Sequence, residues 1–132
     1  MNWPHFLLAT LAASIAISLS DWFFTGVLFH DKYRAHPEIW RKREGEGQAI
    51  ALSTLLGVLT SAAFIFASFE FGIRGFASTF RFAVLCWLIA PLPLLITNAI
   101  YIKLHPLVVV SHALGWLARL TIAAIAVAFL PV

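Results

Sequence analysis

The chain has 132 residues, 61% of them hydrophobic, 11% charged, and a formal net charge of +3. Soluble domains carry about 25% charged residues, so a soluble fold of this size would have no way to hide so much apolar surface. The composition excludes an ordinary cytosolic enzyme and predicts one integral membrane domain spanning 1–132. The single cysteine, Cys86, rules out a disulfide framework within one chain and is expected to be a small packing residue.

A helix needs about 20 mostly apolar residues to cross the hydrocarbon, and four runs qualify: Phe6–His30, Gln48–Glu70, Phe80–Ile102 and Leu107–Leu130. None shows the alternation of a β-barrel strand. Backbone groups in lipid must be satisfied within their own segment, which predicts an all-α four-transmembrane-helix bundle. The first run follows "MNWPH", which has no Lys or Arg, and continues past Asp21 to Phe29; it is expected to be a retained span rather than a signal peptide.

The first run contains "SLSDWFF", with Asp21 set among apolar neighbours. The other formal charge at depth is Arg119, in "GWLARLTIA" of the fourth run. At 1.5 Å per residue, Asp21 lies roughly 13 Å from the basic-loop end and Arg119 roughly 18 Å. An unpaired charge at mid-membrane is costly, and such charges face the bundle interior and pair. Asp21 and Arg119 are therefore expected to pair between the first and fourth helices. The pair has two readings, a lock on helix register or a proton or substrate site centred on Asp21. His112 lies one heptad before Arg119, on a similar face, and Asn98 and Thr97 sit near the end of the third helix. With Ser18, Ser20 and Thr25 they are candidates for lining a wet cavity. Simple interhelical hydrogen bonding is the plainer expectation for His112.

The loop over 31–47 carries Lys32, Arg34, Arg41, Lys42 and Arg43. Pro37 and Glu38 read as a helix start, and Arg41, Lys42 and Arg43 are placed to meet anionic headgroups. With Lys103 in the third loop, this side holds six Lys/Arg against two, Arg74 and Arg81, on the other. The positive-inside rule then makes the long loop cytoplasmic and puts both termini outside. Glu44 and Glu46 follow the basic run at once, which argues against a nucleic-acid partner. In the third run, "APLPLL" puts Pro91 and Pro93 near the bilayer centre, and a kink is expected there. Pro106 suits the first turn of the last helix. Trp22, Trp87 and Trp116 lie deeper than an aromatic belt, and packing is expected of them. Ala9, Ala13, Ser14, Ser18, Ala124 and Ala128 would permit close helix contacts, within the bundle or in a homodimer.

No zinc spacing, phosphate loop or nucleophile elbow is present, so no catalytic residue, metal or cofactor is expected. His30, His105 and His112 are the residues that would have to supply axial ligands to a haem. "SDWFFTGVLFHDKY" resembles the W-[FY]-x-x-x-L-F signature ending the first helix of domain-of-unknown-function family 1761. "FAVLCWLIAPLPLLITNAIYIKLHPLVVVSHALGWL" is similar to that family's third helix, short turn and fourth helix. The resemblance covers nearly the whole chain. It implies a small four-helix protein of the bacterial inner membrane and no particular activity. In that family the positions of Asp21 and Arg119 are usually apolar or small, which favours a local, mutually compensating pair. The leading expectation is a non-enzymatic packing or accessory component that touches the lipid bilayer and either self-associates or joins a membrane complex. The alternatives are a small proton-coupled exporter using Asp21, and a haem- or quinone-binding redox subunit.

Overall fold

The computed structural model describes residues 1–39 and 46–130. Its helices are α1 (Trp3–Phe23), α2 (His30–Arg34), α3 (Glu46–Glu70), α4 (Phe76–Ile89), α5 (Pro91–Tyr101) and α6 (Pro106–Phe129). A π-helical turn, Phe24–Leu28, extends α1, and a 3₁₀ turn, Pro37–Ile39, follows α2. No strand occurs among the described residues. Among the described residues, four helical stretches are long and apolar enough to cross a membrane: Trp3–Leu28, Gly47–Glu70, Phe76–Tyr101 and Pro106–Phe129. The molecule is an all-α, multi-pass membrane bundle.

Local chemistry sets where each span begins and ends. Asn2 caps α1 by accepting the His5 N–H on its side chain at 3.3 Å, and Pro4 sits in the first turn, where its missing N–H costs nothing. At the far end of α3 the chain leaves through a Schellman motif. The Ile73 N–H reaches the Ser68 carbonyl at 2.8 Å and the Gly72 N–H reaches Phe69 at 3.0 Å. Gly72 holds φ of 62° and Gly75 φ of 74°, a region that favours glycine. The helix restarts directly after Gly75, so the third span begins at Phe76, four residues before the apolar run Phe80–Ile102. His105 caps α6 by accepting the Leu107 N–H on Nδ1 at 3.2 Å, with Pro106 as the first helical residue.

The third span is two helices, not one bent helix. α4 stops at Ile89, Ala90 leaves helical geometry at φ −126° and ψ −67°, and α5 starts at Pro91. A proline disfavours helical geometry in the residue before it, which places the break at Ala90. Pro91 and Pro93 then both fall in the first turn of α5, among the N–H groups a helix leaves unpaired anyway. Two prolines in mid-membrane therefore cost little hydrogen bonding.

The core is built from small residues. Ala9 and Ala13 of α1, Ala83 of α4, and Ala123 and Ala124 of α6 are buried in one apolar cluster with Phe64 and Ile65 of α3 and Leu120 of α6. Small side chains let backbones approach, the main source of packing energy where lipid is as apolar as the core. Ser61, Ser68 and Thr79 are fully buried and return their hydroxyls to carbonyls of their own helix or its cap, at 3.0, 2.8 and 3.0 Å. Of the small residues in the sequence pattern, Ala9, Ala13, Ser14 and Ala124 are spent inside the bundle, whereas Ser18 is exposed. The Trp87 indole donates to the Ala113 carbonyl at 2.8 Å and so joins α4 to α6.

Candidate functional site

Asp21 and Arg119 face each other between α1 and α6. Arg119 donates from Nε to Asp21 Oδ1 at 2.8 Å and from Nη2 to Oδ2 at 2.7 Å, so both carboxylate oxygens are held. Along their helices the two residues are offset, since Asp21 lies closer than Arg119 to the basic-loop end. Side chains on a helix lean toward its N-terminus. The two spans run antiparallel, so Asp21 leans away from that end and Arg119 leans toward it. The leans converge and close the offset. The planar guanidinium fork matches a carboxylate in this side-on geometry. The Trp116 ring lies 5.3 Å from the Arg119 guanidinium carbon, one turn earlier on the same helix, and adds a cation–π contact.

The backbone beside Asp21 is unusual. The helix widens into a π turn at Phe24–Leu28, closed by the Phe29 N–H on the Phe24 carbonyl at 2.9 Å. The Asp21 carbonyl accepts from the Thr25 hydroxyl at 2.8 Å. Single π turns inside α-helices are rare and frequent at functional sites. A Cβ on Gly26 would lie 3.3 Å from Trp22 Nε1, so the indole rests directly against the glycine. That leaves Trp22 64% exposed rather than packed into the bundle as its depth suggests.

The pair forms one wall of a cavity of about 490 Å³ among α1, α3 and α6. His112, Ser53 and Thr54 contribute polar groups to its lining, and Trp22, Phe24 and Trp116 contribute aromatic surface. Tyr33 borders it too; its hydroxyl is hydrogen-bonded to the Ser111 hydroxyl, which in turn reaches the Val108 carbonyl at 3.3 Å. Ion-pair burial is incomplete: the Arg119 and Asp21 side chains are 20% and 26% exposed. They look into the cavity rather than into the close-packed core.

Asn98 is not among the residues bordering this cavity. Its carbonyl accepts the Ile102 N–H at 2.7 Å at the end of α5. No residue of α5 borders this cavity, which is lined from α1, the π turn, α2, α3 and α6. The histidines do not converge either. His105 stacks near His36, with ring centroids 4.4 Å apart, and borders a separate cavity with Glu38 and Lys103, while His112 faces the ion-pair cavity. His30 begins α2. Among the described residues no group of three His, Cys, Asp or Glu is arranged to hold a metal ion. Glu38 accepts from or shares a proton with His36 Nδ1 at 3.0 Å. A backbone hydrogen bond at Glu38 and this contact with His36 hold its carboxyl below its ordinary value. Arg41, Lys42 and Arg43 lie outside the described residues.

Fold and site together define a class: a four-span α-helical membrane protein with an interhelical carboxylate–guanidinium pair beside a polar cavity. No protein-family model matches the chain, and neither a curated protein nor a solved structure does so.

Proposed function

We propose that this chain is a non-enzymatic packing or accessory component of the bacterial inner membrane, of the same kind as the small four-helix proteins of family 1761. In this reading the Asp21–Arg119 pair fixes the register of α1 against α6. The observation that carries it is the two-point contact, in which Arg119 occupies both oxygens of Asp21. A buried polar pair is best attested as a device for specifying register. The third span supports a membrane partner or self-association, since only 6% of its apolar window is buried within the chain. The excess of Lys and Arg around the long loop supports a cytoplasmic loop with both termini outside.

A double-mutant cycle on stability in mild detergent tests this reading, with Asp21→Asn, Arg119→Gln and the double variant. Each single change is expected to destabilise, and the double variant to recover most of the loss, with coupling beyond ~1 kcal/mol. Independent effects would refute the register lock. A second reading, a small proton-coupled exporter, draws on the position of Asp21 at the cavity wall. It requires the carboxylate to be released from Arg119 during transport. It predicts Asp21-dependent substrate movement in vesicles even where the cycle shows strong coupling.

A further inference from the structure

The ion-pair cavity has features that a lock alone does not need. Asp21 and Arg119 cancel each other's charge, so a charged ligand would be desolvated there without a counter-ion. Hydrogen-bond donors are nonetheless in surplus. A guanidinium has five N–H donors, Asp21 takes two of Arg119's, and three are left over. The His112 ring borders the same space and has no hydrogen bond to the described residues. The remaining wall is aromatic and apolar. The lining residues Trp22 and Ile50 are 64% and 62% exposed, so the cavity opens toward the surface that lipid covers. Its volume of about 490 Å³ lies within the range of small-molecule sites.

Gly115 supplies an independent sign that the space is kept open. It lies mid-span on α6 and borders the cavity. A Cβ built on it would meet nothing within 4 Å. Glycine inside a helix is less stable than alanine by about 1 kcal/mol, and no close approach of a neighbouring helix requires it here.

We infer that this cavity is a binding site for an uncharged, planar, carbonyl-bearing amphiphile, a quinone head with an apolar tail. The carbonyl oxygens would accept from the spare N–H groups of Arg119 and from His112. The ring would lie against the indoles of Trp22 and Trp116, and the tail would leave through the open side into the bilayer. The inference goes beyond the register lock and requires only that the pair be formed. It concerns binding and assigns no electron transfer.

The test is titration of the purified protein with decylubiquinone, read by quenching of tryptophan fluorescence, with decanol as the tail-only control. Wild type is expected to quench saturably, with decanol a poor competitor. Gly115→Leu, which fills the cavity beside the pair, is expected to weaken binding about tenfold or more. Equal quenching in Gly115→Leu, equal competition by decanol, or no saturation in wild type would each overturn the inference. Melting of the wild type gives a readout that does not depend on the variant folding. Saturating decylubiquinone should raise Tm by stabilising the folded state, and an unchanged Tm would count against the site. The double-mutant cycle reads the pair itself, so loss of quinone binding with strong coupling would reject this site while leaving the register lock intact.

Discussion

The Trp87 indole N–H and the Ala113 carbonyl meet at 2.8 Å across the α4–α6 contact, just before α4 ends. The carbonyl belongs to a continuous helix, so the indole joins it as an additional donor. Trp87→Phe keeps most of the ring and removes the bond. Hydrogen bonds between membrane helices average about 0.6 kcal/mol and reach about 1.7. Thermal unfolding in detergent should therefore show a loss of about 1 kcal/mol. A loss near zero would mean that packing alone joins α4 to α6.

Arg119→Lys keeps the charge but replaces the fork with a single ammonium. Only one of the two contacts to Asp21 can be kept, and the cation–π contact with Trp116 is loosened. The variant should fall between wild type and Arg119→Gln, about 1 kcal/mol below wild type by the same unfolding assay. Stability equal to wild type would show that charge alone matters and that the two-point geometry does not.

Pro91→Ala discriminates between a broken helix and a bent one. In mid-helix, proline costs about 3 kcal/mol against alanine, and its removal would be strongly stabilising. At the first position of α5 a helix leaves the N–H unpaired anyway, so the donor that proline lacks is not missed. The expected change in stability is therefore within about 1 kcal/mol. A gain near 3 kcal/mol would mean that α4 and α5 are one strained helix.

Glu38 gives a pH dependence with a defined sign. Its carboxyl is held below its ordinary value of 4.5, first by the backbone hydrogen bond and then by His36. A depressed carboxylate contributes stability that is present above the unfolded-state value and is lost as pH falls through the folded-state value. The side chain is exposed, so the Tm difference between wild type and Glu38→Gln is small, present above pH 4.5 and lost as pH falls through the depressed folded-state value. A difference that persists unchanged into acid would exclude the ionised carboxylate as its source.

The spans and the break were legible because each leaves a strong local mark: twenty apolar residues for a span, prolines for a break. Asp21 and Arg119 could be matched because only two charges lie deep and their depths agree. The cavity had no such mark. It depends on Gly115 having no neighbour, on Trp22 folding back over Gly26, and on Tyr33 reaching a serine 78 positions away. The first and last of these depend on parts of the chain far apart in sequence, and the Trp22–Gly26 contact carries no signal that a cavity lies beside it. The π turn likewise follows no periodicity, and Gly26 beside Trp22 is its nearest visible sign. Asn98 was a candidate for the cavity by its polar type and its place near the end of the third span, and neither of these carries information on which neighbour α5 packs against.

The 98 positions separating Asp21 from Arg119 also set an order of events during synthesis. At about 5–20 residues per second, Asp21 is added to the chain roughly 5–20 seconds before Arg119. Through that interval the first span must reside in the membrane with an unanswered carboxyl, at an insertion cost of about 2.5–3.5 kcal/mol for an aspartate at mid-span. Insertion of α6 then supplies the guanidinium that occupies both oxygens of Asp21. The later-made α6 thus completes the environment of the earlier α1. A chain truncated before α6 should leave α1 poorly anchored, a ready mark for quality-control proteolysis.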